Sequence, residues 1–401
     1  MEKIKIIHAR LLSPFRIIED ACILMEKGTI TRISQGDFDE DAVEIIDAKN
    51  HYVSPGFIDI HTHGAGGYDF MDGTVESFLG AAKMQAKHGV TSVVPTTLTS
   101  TNNELFSLFD AYREAKKKNT QGARFLGLHL EGPYFSLNQR GAQDPKYIKI
   151  PKKKDYEEIL SHTDDIIRWS AAPEIPGALE FGRYISSRGI IAAIGHSDAD
   201  YDDVVRAMEN GYTHVTHLYS GMSGVMRKNA YRYAGVIESA FLLDQLTVEI
   251  IADGNHLPAS LLRLIYQIKG PSRIALITDS MRGAGMGPGE SILGSLKGGT
   301  KVIIEDGVAK LPDRAAFAGS VATGDLLVRN MIQLAGVPLL HAVQMMTTTP
   351  AKICGCSLNK GILSEGMDAD IIIFDDQIKI KTTIINGQVV YNILNKKQIQ
   401  E

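Results

Sequence analysis

The sequence predicts an α/β protein, a (β/α)8 TIM-like barrel with a small β-sandwich made from both chain ends. Three observations carry this. Eight short, nearly continuous apolar runs lie between residues 55 and 357, helix-like segments separate them, and further β-like pieces lie in residues 1–54 and 361–392. Near-continuous apolar strands are what a parallel sheet covered on both faces requires. The competing doubly wound sheet is disfavoured, because no G-x-G-x-x-G follows the first run.

Taken in order, the N-terminal pieces are IKIIHARLLS, CILMEKGTITRISQG and VEIIDAKNHYVSPG, with Gly28 and Gly36 supplying turns. The eight runs follow: GFIDIH (56–61), TSVVPTT (91–97), FLGLHLEG (125–132), IRWSAAPE (167–174), IIAAIGHS (190–197), THVTHLYS (213–220), VEIIADGNH (248–256) and RIALITDS (273–280). Between them, residues 76–88 end at Gly89, 103–118 end in a basic turn, 201–210 end at Gly211 and 258–269 end at Gly270. Proline early and glycine just past the end mark helices. The Gly-rich stretch 283–299 and TKVIIEDGVAKL after it read as an excursion from the barrel. ADIIIFDD and IKIKTTIINGQVVY, with an Asn386-Gly387 turn, complete the terminal β-domain.

Composition sets bounds on function. An apolar fraction of 44% and a charged fraction of 22% are ordinary for a globular protein. A net charge of −5 argues against nucleic-acid or anionic-membrane partners. The N-terminus lacks a long apolar stretch with a small-residue cleavage site, so no signal peptide is expected. No run approaches the length that spans a bilayer. Cys22, Cys354 and Cys356 are too few for a disulfide framework, and a reducing cytoplasm is the simplest home.

Function in such barrels gathers at the C-terminal ends of the strands. His61 and His63 are two apart, so strand alternation points both imidazoles the same way. A His-x-His triplet alone is weak evidence. The remaining strand ends add Glu131, His196, His217, His256 and Asp279, so six ends carry a metal-capable or acid–base side chain. Imidazole with carboxylate suits a divalent ion, zinc first and iron as the alternative, with one or two ions per subunit. His129 shares the face of Glu131 one layer deeper and reads as a hydrogen-bonded core residue. His214 begins its strand, at the wrong end. His8, His51, His88, His162 and His341 fall outside the pattern.

PGFIDIHTHG, LGLHLEGP, GHSDA, THVTHLYSGM, IIADGNH, LITDSM and FAGS together resemble the N-acetylglucosamine-6-phosphate deacetylases of the amidohydrolase superfamily. KGILSEGMDADIIIF and TIINGQVVY are similar to that family's closing strands. The resemblance spans essentially the whole chain. It implies hydrolytic release of acetate from an N-acetylated amino-sugar 6-phosphate, by a homodimer. Glu131, His196 and His217 correspond to the family's principal metal site. His61 and His63 match members that bind a second ion, with Glu131 as the bridge. An amide is a poor electrophile, and metal coordination lowers the pKa of water from ~15.7 toward ~7. Asp279 is expected to take the water's proton and return it to the amine, and His256 to hydrogen-bond the acetyl carbonyl.

The sequence departs from the family where substrate is recognised. The usual Asn-Ala-Met is Ser220-Gly221-Met222, Lys-Gly-Ala-His is Arg140-Gly141-Ala142-Gln143, and Arg-Glu-Pro-Gly is Arg232-Tyr233-Ala234-Gly235. In the family that arginine comes from the neighbouring subunit and grips phosphate, which suits guanidinium geometry. Arg232 is the first choice here and Arg227 its substitute. Ala142, Gln143, Ser220, Gly221, Asp253, Gly254, Asn255, His256, Phe317, Ala318 and Gly319 are the candidate substrate-lining residues. The departures leave the galactosamine epimer, or another N-acyl sugar, as an alternative substrate. A superfamily deaminase and a non-catalytic scaffold are the remaining alternatives.

Overall fold

The computed structural model describes residues 3–40, 42 and 44–394; residues 1–2 and 395–401 of the two terminal segments lie outside the described residues. Eight parallel strands form the barrel: Phe57–Thr62, Val90–Pro95, Leu128–Glu131, Ile166–Ala171, Ile191–Ile194, Tyr212–Val215, Thr247–Ile250 and Ile274–Leu276. Each coincides with one of the eight apolar runs. Parallel ladders join the first to the second and the third through to the eighth. Thr96 bridges to His129 between the second and third. Beyond the last ladder, Asp279 N–H donates to His61 C=O at 2.9 Å and His63 N–H to Ser280 C=O at 2.8 Å, which closes the ring.

Each barrel strand is followed by a helix. Val75–Lys87, Asn102–Lys118, Tyr201–Glu209 and Ala259–Lys269 fall where the sequence placed helices. Thr74, Thr101 and Asp200 cap the first three, each accepting from a backbone N–H of the first turn. Lys153–His162, Ala178–Ser186, Val236–Leu242 and Gly324–Gln333 complete the set. The helices bury one face against the strands, and Phe57, Phe78, Trp169, Phe181, Val248 and Leu262 belong to one continuous core. Polar side chains at the strand ends stand out against this largely apolar framework.

Both chain ends pair in one eight-stranded sheet. Tyr52–Pro55 runs antiparallel to Ile371–Phe374 and parallel to the second half of Ile4–Leu12, whose first half pairs Glu44–Asp47. Asn386 and Gly387 have φ of 50° and 72°, the left-handed pair that a two-residue hairpin turn demands. A separate apolar core of Ile6, Ile23, Val53, Ile371 and Ile373 fills this sheet. Between the eighth strand and its helix, Gly289–Leu293, Thr300–Glu305, Val308–Lys310 and Phe317–Ser320 form an antiparallel sheet over the barrel mouth. This is the excursion the Gly-rich stretch suggested.

Candidate metal and substrate site

All the strand-end residues meet at one end of the barrel. Glu131 ends the third strand. His196, His217 and Asp279 lie two or three residues past their strands and take φ of 49°, 25° and 46°. Left-handed backbone at a residue other than glycine is uphill, typically by about 1–3 kcal/mol. Three such residues at neighbouring strand ends are held by their surroundings, which is a feature of functional sites.

Two trios form around one carboxylate. Glu131 Oε1 lies 2.9 Å from His217 Nε2 and 3.2 Å from His196 Nε2. His63 Nε2 is 3.1 Å from Asp279 Oδ1 and 3.4 Å from Glu131 Oε2. His61 Nε2 is 3.4 Å from Asp279 Oδ1 and 3.6 Å from Glu131 Oε1. Within each trio, Glu131–His196–His217 and His61–His63–Asp279, one donor atom per residue lies within 4.8 Å of the others. Ligands at ~2.1 Å around a tetrahedral ion stand ~3.4 Å apart, so the spacing is that of a shared cation.

The far side of three of the four rings tests this fit. His196 Nδ1 lies 2.8 Å from Gln139 C=O and His217 Nδ1 lies 3.1 Å from Ser220 C=O. A carbonyl accepts only, so each Nδ1 carries the proton and, in the neutral ring, Nε2 presents a lone pair to Glu131. His61 Nδ1 faces Glu249 Oε2 at 3.1 Å, with the same result, and its Nε2 has no hydrogen-bond partner. Lone pairs converging on carboxylates repel unless a cation stands between them. These residues therefore fit a divalent ion at each trio.

Electrostatics agree. Burial pushes the Glu131 carboxyl up, but the charge of His61 and, where their Nε2 atoms carry protons in place of a cation, His196, His217 and His63 hold it well below the usual carboxylate range. Burial likewise opposes ionisation of Asp279, and His61 and His63 outweigh it. Burial pulls the His63 imidazole down, yet the hydrogen bonds it donates to Asp279 and Glu131 push it up to about 10. Glu131 and Asp279 are thus ionised at neutral pH, and positive charge at the facing ring nitrogens, whether proton or metal, is what holds them so.

A cavity of about 340 Å³ opens above the trios. Ala142, Gln143, Ser220, Gly221, His256, Phe317 and Gly319 line it, as do Leu98, Tyr219 and Leu293, which the sequence reading omitted. Leu98 and Leu293 lie outside the quoted motifs, and Tyr219 lies inside one beside Ser220 but carries no strand-end signal of its own. His256 packs its ring 4.6 Å from that of Phe317.

Five candidate substrate residues sit elsewhere. Asp253 accepts from His256 Nδ1–H at 2.7 Å and from the backbone N–H groups of Asn255 and His256, so it orients the histidine. Asn255 Nδ2 donates to Asp306 C=O, and Gly254 faces Leu334. Ala318 is fully buried in the core of the lid sheet, because alternation along Phe317–Ser320 turns it away. Arg232 lies on an exposed hairpin, Met226–Lys228 with Tyr231–Tyr233, and among the described residues donates only to Ala230 C=O.

Below the trios is an unforeseen ion pair. Arg168 and Glu249 are fully buried in mid-strand, in direct contact, and Arg168 also donates to Ile60 C=O and Thr216 Oγ1. The signal was present as two charges inside apolar runs. His129 is buried between Thr96 Oγ1 and Ser170 Oγ, and His214 between Thr247 Oγ1 and Glu249, both outside the trios.

A closed (β/α)8 barrel with two imidazole–carboxylate trios at its strand ends defines a metal-dependent hydrolase of the amidohydrolase type. The Amidohydrolase family model matches residues 52–390, and the chain belongs to that family. It is 32% identical over 376 residues to N-acetylglucosamine-6-phosphate deacetylase of Vibrio furnissii, covering 93% of this chain and 92% of the relative. It is 29% identical to N-acetylgalactosamine-6-phosphate deacetylase of Escherichia coli O157:H7, covering 95% and 97%. A solved N-acetyl-D-glucosamine-6-phosphate deacetylase variant of Mycobacterium smegmatis, in complex with N-acetyl-D-glucosamine-6-phosphate, superposes with a TM-score of 0.89 at 26% identity. That likeness covers 98% of this chain and all of the other.

Proposed function

We propose that the chain hydrolyses N-acetyl-D-glucosamine 6-phosphate to D-glucosamine 6-phosphate and acetate, in amino-sugar catabolism. The observation that carries this is the Glu131 carboxylate standing between two imidazole-rich trios on the floor of a sugar-sized cavity. The names borne by the relatives supply the substrate. A bound divalent ion, zinc in this reading, supplies Lewis acidity and makes water a nucleophile at neutral pH.

The chain's own residues do the rest. Glu131, His196 and His217 would hold the principal ion, and His61 and His63 would hold a second. Asp279 is ionised, with Oδ1 toward His61 and His63, and it accepts the water's proton and returns it to the departing amine. His256 has Nδ1 on Asp253, which leaves Nε2 for the acetyl oxygen as negative charge develops there, a contribution often worth ~2.7–4 kcal/mol. The Asp253 carboxylate balances the ring's charge when Nε2 carries a proton.

Phosphate requires a cation that this cavity does not hold. Among the described residues, none that lines it is Lys or Arg. Arg227 and Arg232, on the exposed hairpin, have no carboxylate partner among the described residues. We read the enzyme as a homodimer in which Arg232 of one copy reaches the cavity of the other. We further read residues 55–357 as the barrel domain, with 1–54 and 358–401 as a β-sandwich domain. Unpaired Cys22, Cys354 and Cys356 support a cytoplasmic location, and no helix among the described residues is long and apolar enough to cross a membrane.

Acetate release from N-acetylglucosamine 6-phosphate by zinc-loaded protein tests the reading, and no turnover of either epimeric 6-phosphate would overturn it. The galactosamine epimer is the second reading, favoured by Ser220 and Gly221 on the cavity wall. A higher kcat/KM for that epimer would select it. Ammonia in place of acetate would point to a deaminase.

A further inference from the structure

Both ends of the Gln143 amide are committed within the chain, although the residue lines the cavity. Its Oε1 accepts from the Thr99 backbone N–H at 2.9 Å, and its Nε2 donates to Glu131 Oε2 at 2.8 Å. The side chain is 6% exposed. Reversing the amide would set its NH2 against the Thr99 donor and its oxygen against a carboxylate. Two repulsions exclude that orientation.

The consequence falls on Glu131. Its Oε1 faces His217 and His196, and its Oε2 faces His63. The terminal torsion of a glutamate is soft, so an untethered carboxylate would rotate and exchange these roles. Gln143 removes that freedom, because one lone pair of Oε2 is engaged by a donor that Thr99 holds in place. Oε1 is thereby kept toward His196 and His217, with His61 at 3.6 Å, and Oε2 toward His63.

We propose that Gln143 is a positioning residue for the shared metal ligand, setting how tightly Glu131 binds ions, and is not a contact to the sugar. This rests on the metal reading of the two trios given above. Removing a hydrogen-bond partner that orients a ligand typically weakens metal binding 10–100-fold.

The test uses full-length wild type and Gln143→Met, which keeps the length without donor or acceptor, with Gln143→Leu as a second variant of different shape. Zinc affinity is titrated against a competing chelator, and cobalt-loaded protein is followed by visible absorption, which reports geometry at the ion. The expected result is zinc bound roughly 10–100-fold more weakly and shifted cobalt bands, with KM for the sugar 6-phosphate little changed under saturating zinc. Wild-type zinc affinity and cobalt bands, accompanied by a raised KM, would make Gln143 a sugar contact and overturn the proposal. Failure of the metal reading looks different: wild type itself would bind neither zinc nor cobalt.

Discussion

Glu249 Oε2 lies 3.1 Å from His61 Nδ1, and this contact decides which nitrogen of His61 faces the site. The same oxygen accepts from the His217 backbone N–H at 3.3 Å, so one buried carboxylate touches a member of each trio. Burial alone would neutralise Glu249, but Arg168, His214 and His61 hold it well below the usual carboxylate range. The Arg168–Glu249 pair is thus the electrostatic floor of the site.

Breaking that pair from one side leaves a buried charge without its partner. Glu249→Gln strands the Arg168 guanidinium, and a loss of about 3–5 kcal/mol in unfolding free energy is expected. Arg168→Met combined with Glu249→Gln removes both charges and should recover more than half of it. Chemical denaturation of the two singles and the double gives the coupling directly. Additive losses would mean that the two charges do not depend on each other.

The two trios should empty separately. Substituting His61 and His63 together by alanine removes two donors of one trio and none of Glu131, His196 or His217. Elemental analysis should find metal content falling from two ions per chain toward one, while Glu131→Gln lowers both. A His61/His63 variant that lost all its metal would show the assignment of the principal ion to be wrong.

Much of this was legible in the sequence, for identifiable reasons. The eight strands announced themselves because burial on both faces tolerates only apolar residues, and any polar side chain at a strand end then stands out. His61, His63, Glu131, His196, His217 and Asp279 were visible on that ground. Gln143 and Asp253 were seen as substrate contacts, because their actual partners, Glu131 with Thr99 and His256, are set by how loops fold back. Arg168 and Glu249 lie on nonadjacent strands of the barrel, and only its closed interior brings them together. Ala318 was named with the rest of the FAGS motif, and strand alternation along Phe317–Ser320 turns its side chain away from the cavity.

Lys269 offers a pH test remote from the metal site. Its ammonium is buried and donates to Ala240 C=O at 2.7 Å and Leu243 C=O at 3.2 Å. Burial, with Arg273 adding to it, pulls its pKa from 10.5 down to about 8. Between these values the unfolded chain holds the proton that the folded chain has released, so this group makes stability rise with pH from about 8 to 10.5 and adds no slope below 8. Subtracting the unfolding free energies of Lys269→Met from those of wild type across pH 7–10.5 isolates the slope. A flat difference would count against it.

Arg232 provides the test that joins the metal site to the proposed dimer. Arg232→Ala should lower kcat/KM for the sugar 6-phosphate by roughly 10- to 150-fold, as loss of ~1.5–3 kcal/mol in charged hydrogen bonds implies. The unphosphorylated sugar should be nearly unaffected, because its recognition never used the arginine. Asp279→Asn disables the proton transfer but leaves the hairpin intact. If Arg232 works across the interface, mixing the two variants under exchange conditions forms hybrids with one complete site, built from the intact Asp279 of one copy and the intact Arg232 of the other. Activity should then return to a fraction of wild type, although each parent is impaired. An arginine acting within its own chain predicts no recovery, since every hybrid site would still lack one of the two groups.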